Sequence, residues 1–362
     1  MSLFQQAGLN PRSDLGQNFL IDLNLIDYVV EQAAIGPDDV ILEIGTGTGG
    51  LTTFMAQSAA GVVSVEIDPR VHRLACEATG AFSNVTLLCT DALANKHHFA
   101  PAVLEALNSR LADAPGRHLK LVANLPYCIA TPVMSNLVAS SLPWTLMVVT
   151  IQWELAERLR ASPGTNDYSA LSVWLQSQCR LQVLKKLGPT VFWPRPQVDS
   201  AIVRLEPDPE RSELLGNREF FHEFIRRLFE QRRKGLRGVL AGMYRTQLEK
   251  PVIDTLLEQQ ALAGGARAEQ LDVPTLVRLA QGVHTLLGDA PHSPPRATAR
   301  GRRGANAPHR PLEISTDPLQ EARATGESPA METPRRAGMT NAPDPSLQPV
   351  DSDTSPLIAG IL

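Results

Sequence analysis

The sequence predicts an α/β protein: a doubly wound sheet over residues 1–207, a small all-helical domain over 208–287 and a disordered tail over 288–362. Three observations support this division. Short apolar runs of strand length alternate with helical stretches in the first part, helical apolar spacing follows the break at residues 207–209, and the last part is rich in proline. A chain of 362 residues can hold two domains and a sizeable core.

The first strand leads into a glycine-rich turn. Residues 40–44 read Val-Ile-Leu-Glu-Ile, and residues 45–50 read Gly-Thr-Gly-Thr-Gly-Gly before an amphipathic helix. This order predicts a ligand cradle, because glycines let a ligand approach the backbone at a helix N-terminus. An adenosine cofactor suits the layout. A nicotinamide cofactor stays open at this point, although the spacing is Gly-x-Gly-x-Gly rather than Gly-x-Gly-x-x-Gly.

The next two strands each bring a carboxylate to the same edge. The strand over residues 62–68 places Glu66 about twenty residues after the turn, where it can accept both ribose hydroxyls of an adenosine. The strand over 85–89 is followed by Asp91, which can accept the adenine amino group. Open α/β sheets bind their ligands at the carboxyl ends of the strands, so these acids are expected to converge.

The fourth strand, over residues 119–123, ends in Asn124-Leu125-Pro126-Tyr127. An amine on an aromatic base is a poor nucleophile because its lone pair is delocalised into the ring. The Asn124 side-chain oxygen and the adjacent backbone carbonyl, at Leu125, can accept its N–H hydrogens without a titratable base. Pro126 stiffens the loop, and the Tyr127 ring offers a face for an unstacked base. The loop therefore indicates N-methylation of a nucleobase, with orientation as the main catalytic contribution. On these four residues alone, an ordinary turn after a strand stays open as the alternative. A late strand is expected over residues 201–205.

Basic residues are concentrated in the helical part, although the whole chain has a net charge of −4. Seven arginines and lysines lie between residues 226 and 245 against one acid, Glu230. We place them on a helix whose other face is apolar and expect that surface to bind phosphates, because local fields matter more than the net charge.

Composition indicates a protein inside the cell. No apolar stretch is long enough to cross a bilayer, and the first six residues lack the basic start and apolar run of a signal peptide. The four cysteines and eight histidines show no metal-ligand spacing, so we expect free thiols, no metal and a cytoplasmic location. The segment from Gly288 holds 12 of the 28 prolines and no Phe, Trp or Tyr, which predicts disorder.

With these residues in view, the chain closely resembles the ribosomal RNA adenine dimethyltransferases, and specifically the branch that acts on the small-subunit (16S) RNA. The resemblance runs from about residue 12 to residue 284 in seven ordered pieces. They are Leu-Gly-Gln-Asn-Phe-Leu-Ile-Asp at 15–22, Leu-Glu-Ile-Gly at 42–45, Val-Glu-Ile-Asp at 65–68, Asp-Ala-Leu at 91–93, Ala-Asn-Leu-Pro-Tyr at 123–127, Phe-Trp-Pro-Arg-Pro-Gln-Val-Asp-Ser-Ala at 192–201 and Gln-Arg-Arg-Lys-Gly-Leu-Arg at 231–237.

The resemblance implies a Rossmann-like class I methyltransferase sheet of seven strands, with S-adenosylmethionine as cofactor. The residues implied to hold the cofactor are Asn18, Leu20, Gly45, Glu66, Asp91 and Asn124. Tyr127 and Phe192 are implied to sandwich the target adenine. The basic residues implied to contact RNA are Arg232, Arg233, Lys234 and Arg237. The implied reaction dimethylates N6 of two adjacent adenosines near the 3′ end of the small-subunit RNA, within the assembling subunit, and we expect a monomer.

Some positions depart from the family pattern, and some alternatives stay open. Thr46 stands where proline is usual, Cys128 where asparagine is frequent, and Asp14 where a basic residue is common. None of them removes a residue with an implied chemical role. The alternatives are an adenine methyltransferase that acts on large-subunit RNA or on DNA, and a ribosome-assembly or transcription factor that keeps the fold but only binds.

Overall fold

The computed structural model describes residue 12 and residues 16–288. The predicted tail after Gly288, the N-terminal residues used in the signal-peptide argument and Asp14 lie outside the described residues.

A seven-stranded sheet forms the centre of the described chain, as the sequence predicts. Its strand order is β4-β3-β2-β7-β8-β11-β9, with two further two-stranded pairs, β1-β10 and β5-β6. The strands are β1 (Phe19–Leu20), β2 (Asp39–Ile44), β3 (Gly61–Glu66), β4 (Val85–Cys89), β5 (Leu93–Asn95), β6 (His98–Phe99), β7 (His118–Asn124), β8 (Trp144–Gln152), β9 (Cys179–Leu187), β10 (Phe192–Trp193) and β11 (Ser200–Pro207). Strands β4, β3, β2, β7 and β8 are parallel, and β11 runs antiparallel to both of its neighbours.

Helices cover the sheet and continue after it. They are α1 (Leu23–Ala33), α2 (Gly50–Ala56), α3 (Pro69–Thr79), α4 (Pro101–Ala112), α5 (Ala130–Ala139), α6 (Trp153–Arg160), α7 (Ala170–Gln176), α8 (Pro209–Glu213), α9 (Arg218–Phe229), α10 (Leu236–Met243), α11 (Lys250–Gln259) and α12 (Val273–Leu287). Two single 3₁₀ turns lie at Pro189–Val191 and Ala268–Gln270.

Local sequence explains where the central elements begin and end. Every residue of β2 and β3 is buried, as expected for parallel strands covered on both faces. Strand β3 ends at Glu66, two residues earlier than predicted, because the Asp68 side chain caps α3 by accepting from the Arg70 N–H at 3.0 Å. Pro69 follows at the first helical position, where its missing N–H costs nothing.

The helical segment shares its hydrophobic core with the sheet. One buried cluster contains Leu121 of β7 and Val203 of β11 together with Phe221 of α9 and Leu279 of α12. Across this junction the rings of Trp174 and Phe221 lie 6.4 Å apart. All described residues fall in one compact unit, so the boundary at 207/208 stays a prediction about sequence organisation.

The basic stretch is not one helix, and the prediction of a single helix is wrong here. Helix α9 ends at Phe229 and α10 begins at Leu236, so Arg232, Arg233 and Lys234 lie in the turn between them. Contacts distant in sequence fix this turn: the Leu236 N–H donates to the Ala266 carbonyl at 2.8 Å.

Candidate active site

A cavity of about 230 Å³ opens at the carboxyl ends of β2, β3, β4 and β7. Residues 16–19 of the N-terminal segment line one side of it. The pairing of β1 with β10 anchors this segment. The lining residues are Gly16, Gln17, Asn18, Phe19, Ile44, Gly45, Gly47, Val65, Glu66, Ile67, Thr90, Asp91, Ala92, Asn124, Leu125, Pro126, Tyr127, Cys128 and Ile129. Four strand ends and one crossing segment thus form one ligand-sized site, as expected for an open α/β sheet.

The glycine-rich turn needs glycine for two reasons. Gly45 has φ +86° and Gly47 has φ +59°, a left-handed region that side chains rarely adopt. A Cβ at Gly45 would lie 3.2 Å from the Pro126 ring, and one at Gly47 would lie 3.1 Å from the Phe19 ring. Glycine at these two positions therefore lets the turn line the cavity while it packs closely against Phe19 and the Asn-Leu-Pro-Tyr loop.

Glu66 is held in position by backbone donors. Its Oε2 accepts from the Gly47 N–H at 3.1 Å, and its Oε1 accepts from the Asp68 N–H at 3.0 Å. Burial raises the pKa of the Glu66 carboxyl, and these hydrogen bonds oppose the rise. A carboxylate has lone pairs for more than two donors, so Glu66 can still accept from hydroxyl groups of a ligand in the cavity.

A second carboxyl, Glu43, lies beneath the turn and is 1% exposed. Its Oε2 accepts from the Thr52 hydroxyl and from the Ser64 hydroxyl, both at 2.6 Å. The Ser64 hydroxyl also lies 2.5 Å from that of Thr46. Either hydroxyl can be the donor in this pair. Burial raises the pKa of Glu43 to about 8, so the group is mostly protonated at neutral pH.

Asn124 presents an acceptor with no partner. Its Nδ2 donates to the Asn18 carbonyl at 2.7 Å, which fixes the orientation of the amide. Its Oδ1 is buried and forms no hydrogen bond to any described residue. A buried carbonyl oxygen without a partner is costly unless a ligand supplies the donor. The adjacent Leu125 N–H is already bonded to the Thr150 carbonyl at 3.1 Å, which anchors the loop to β8.

Tyr127 is also fixed at its far end. Its hydroxyl lies 2.6 Å from that of Ser200, a fully buried residue at the start of β11. Burial raises the pKa of the Tyr127 hydroxyl above its ordinary value, so the group stays neutral near pH 7. The ring lines the cavity beside Asn124. This arrangement provides an aromatic face next to an unpaired hydrogen-bond acceptor.

Most of the predicted site residues meet at this cavity. Those that line it are Asn18, Gly45, Glu66, Asp91, Asn124, Leu125 and Tyr127. Asp91 is exposed, and its Oδ1 accepts from the Leu93 N–H at 2.9 Å. Leu20 and Phe192 do not line the cavity. Phe192 is 1% exposed because it packs in a second hydrophobic cluster, separate from the one that the sheet shares with the helical segment. Its role in stacking on the target adenine stays a prediction.

The predicted RNA-binding residues differ in exposure and in their hydrogen bonds within the protein. Arg232 donates to the carbonyls of Asn166 and Tyr168, at 3.0 and 2.7 Å. Arg237 forms a two-point pair with Asp254, at 2.5 and 2.7 Å. By contrast, the Arg233 and Lys234 side chains are exposed in the turn.

Three residues of the site carried no assigned role in the sequence interpretation. Glu43 could have been found, because an acid inside an otherwise apolar strand needs buried partners. Ser200 lies in one of the family-like pieces, but its contact with Tyr127 spans 73 positions. Gln17 lines the cavity, and its Nε2 lies 3.4 Å from an Asp68 carboxylate oxygen.

Comparison with known proteins decides the family. A family profile described as ribosomal RNA adenine dimethylase matches residues 8–276. The chain belongs to this family. It is 37% identical over 284 residues to a Lactiplantibacillus plantarum protein named ribosomal RNA small subunit methyltransferase A, covering 78% of this chain and 93% of the relative. A Halothermothrix orenii protein of the same name is 34% identical over 280 residues, covering 76% and 89%.

Solved structures support the fold of this dimethylase. A dimethyladenosine transferase from Plasmodium falciparum has a TM-score of 0.59 and 24% identity, covering 72% of this chain and 95% of that one. Among residue 12 and residues 16–288, no helix of the dimethylase is long and apolar enough to cross a membrane. The same residues contain no group of three or more His, Cys, Asp and Glu side chains placed to hold a metal ion.

Proposed function

We propose that this dimethylase transfers methyl groups from S-adenosylmethionine to N6 of two adjacent adenosines near the 3′ end of small-subunit ribosomal RNA. The product is N6,N6-dimethyladenosine, formed in the assembling small subunit. The observation that carries the proposal is the buried, unpaired Oδ1 of Asn124 at the cavity. The names of the relatives support the small-subunit substrate over large-subunit RNA.

The cavity has the features that the cofactor requires. Gly45 and Gly47 line the cavity in a left-handed turn that packs tightly against the Pro126 and Phe19 rings, and this backbone suits the close approach of the cofactor's amino-acid part. Glu66 and Asp91 both line the cavity, which supports the assignment of Glu66 to the ribose hydroxyls and of Asp91 to the adenine amino group. Asn18 lines the same opening. When bound, S-adenosylmethionine supplies an activated methyl group on a sulfonium centre.

Asn124 orients the amine that attacks this methyl group. Its Nδ2 is committed to the Asn18 carbonyl, so its Oδ1 is the atom that faces a donor from the target base. Accepting an N–H hydrogen there turns the amine's lone pair out of conjugation with the ring. The amide oxygen is not a base, so the proton released by methylation leaves to solvent. Alignment and exclusion of water are therefore the main contributions of the protein.

Tyr127 holds the target base, and exposed cations hold the RNA around it. An adenine extruded from its stack can lie on the Tyr127 ring, whose position is fixed through Ser200. Arg233 and Lys234 are the exposed members of the basic turn and are suited to phosphate contacts. Arg232 and Arg237 are engaged within the protein, so we assign them mainly structural roles. We further propose that the enzyme acts as a monomer in the cytoplasm.

The test compares three substrates in one experiment. The full-length protein and S-adenosylmethionine are incubated with unmethylated small subunits, with large-subunit RNA and with DNA, and the nucleosides are measured by mass spectrometry. We expect N6,N6-dimethyladenosine in the small subunit alone. Product on another substrate would assign the activity there, and no product anywhere would favour a binding factor on the same fold.

Asn124→Ala tests the residue that carries the proposal. We expect a loss of methylation of at least about a hundredfold, comparable to removing one preorganised hydrogen-bonding group from an active site, with cofactor binding retained. Asn84→Ala is the matched control. The Asn84 Nδ2 also donates to backbone carbonyls, at 2.8 and 2.9 Å, but the residue does not line the cavity. Normal turnover by a folded Asn124→Ala protein would refute the assignment.

A further inference from the structure

We infer that Ser200 is a positioning residue for methyl transfer: its hydroxyl fixes the Tyr127 ring against which the target adenine lies. The inference rests on the proposed function and deepens it. It adds a residue that never touches the substrate but determines how tightly the base is aligned.

The contact between the two hydroxyls is short and buried. The oxygen atoms of Tyr127 and Ser200 lie 2.6 Å apart, and Ser200 is 0% exposed. A neutral O–H···O bond of this length is at the short end of the normal range. The phenolic oxygen lies on the Cβ–Cγ axis, so the hydrogen bond to the buried Ser200 hydroxyl opposes rotation about the Cα–Cβ bond, which would carry the hydroxyl and the whole ring away.

The Ser200 hydroxyl is itself held by the sheet. Ser200 begins β11, where it pairs with Gln152 of β8 on one side and with Leu187 of β9 on the other. Tyr127 follows β7, which is separated from β11 by β8 in the sheet. The Tyr127 side chain therefore spans the end of β8. Its hydroxyl is held by β11, although Tyr127 itself follows β7 in the sequence.

This arrangement matters more for chemistry than for RNA binding. Phosphate contacts on the surface supply most of the affinity for RNA and do not depend on the ring. In-line transfer, by contrast, depends on placing N6 within a narrow range of distance and angle from the methyl group. A ring released from Ser200 is expected to lower turnover without changing the affinity for RNA or cofactor.

The second methyl transfer provides a further readout. After the first transfer, the monomethylated amine must be presented again in a new orientation at the same acceptor. A mobile ring retains this intermediate poorly. We therefore expect Ser200→Ala to release a larger fraction of N6-monomethyladenosine than the wild-type enzyme, which a purely structural defect would not cause.

The experiment is a double-mutant cycle with Ser200→Ala, Tyr127→Phe and the double variant of the full chain. Each single change removes the same hydrogen bond, so we expect kcat to fall about tenfold in each and the double variant to be no slower than the slower single one. KM for unmethylated small subunits and the Kd for S-adenosylmethionine should stay within about twofold. The cofactor Kd and the melting temperature verify that each variant is folded.

A matched control and the possible outcomes complete the test. Ser177→Ala also removes a buried hydroxyl, one that donates to the Trp174 carbonyl at 2.9 Å away from the cavity, and it should leave kcat and the product ratio unchanged. An active wild-type enzyme with kcat unchanged in Ser200→Ala, or with multiplicative losses in the double variant, overturns the inference alone. A wild-type enzyme that methylates no substrate overturns the proposed function and the inference together.

Discussion

Replacing Glu43 by glutamine should change how the stability of the enzyme depends on pH. Glu43 is 1% exposed, and burial raises its pKa to about 8 from an ordinary value of 4.5. Between these two values the folded protein keeps a proton that the unfolded chain has lost. Glutamine has the shape of the protonated acid and can accept the same hydroxyl bonds from Thr52 and Ser64, but it does not titrate.

The sign and size of the effect follow from proton linkage. The stabilising contribution of protonated Glu43 is fully present below pH 4.5 and is lost as the pH rises toward about 8. Within that window a difference of one bound proton lowers the free energy of unfolding by about 1.4 kcal/mol per pH unit. The Glu43→Gln variant lacks this slope, so its stability relative to the wild-type protein should increase steadily from pH 5 to pH 8.

Urea denaturation of both proteins at pH 5, 6, 7 and 8 measures the difference. Titrating groups that do not interact with Glu43 contribute equally to the two proteins, so subtraction leaves Glu43 and its electrostatic coupling to Glu66. A constant difference across the four pH values would refute the reasoning, because it would mean that Glu43 is already ionised in the folded protein at pH 5. The cofactor Kd of the variant at each pH then reports whether the Ser64 and Thr46 hydroxyls still support the turn.

Three further substitutions test the cofactor and RNA assignments. Gly45→Ala places a side chain at φ +86°, where a left-handed residue costs about 1–2 kcal/mol, so the free turn should relax away from the conformation that lines the cavity. Because binding must restore that conformation, calorimetry should show roughly tenfold weaker S-adenosylmethionine binding; unchanged affinity would place the cofactor elsewhere. Glu66→Gln removes the anionic acceptor for the ribose and should weaken cofactor binding about tenfold or more in the same assay, with the melting temperature as the check of folding. Joint reversal of Arg233 and Lys234 to glutamate should lower the salt slope of RNA binding by about two. Arg226→Gln, at an arginine already paired with Glu223 and Glu230, should leave the slope unchanged. Equal slopes in the wild-type protein and both variants would make the turn a solvated surface.

Sequence alone predicts the central sheet and the edge at which ligands bind. The strands over residues 40–44 and 119–123 are readable because burial on both faces leaves nearly continuous apolar runs. Glu66, Asp91 and Asn124 could be assigned to one site because each follows or ends a parallel strand, and such strand ends meet at one edge. Local patterns were sufficient for these features.

The rest depends on contacts that no local pattern shows. The turn at residues 231–234 replaces the predicted helix because Leu236 bonds to Ala266 and Arg232 to Tyr168, partners at least thirty positions away. Likewise, only the folded chain shows that Phe192 packs in the core and that Ser200 meets Tyr127. Hydrophobic periodicity does not show whether an aromatic ring such as that of Phe192 packs into the core or lines the cavity.

The core shared by the sheet and the helical segment limits how this dimethylase can be divided or recombined. Trp174 and Phe221 lie on opposite sides of the boundary drawn at residue 207, and each is nearly fully buried. A chain ending there would expose the apolar partners of α9 and α12. A helical segment taken from another family member would have to match the volume and shape of these rings. The packing of the helical segment is therefore coupled to the stability of the sheet, and the two must change together.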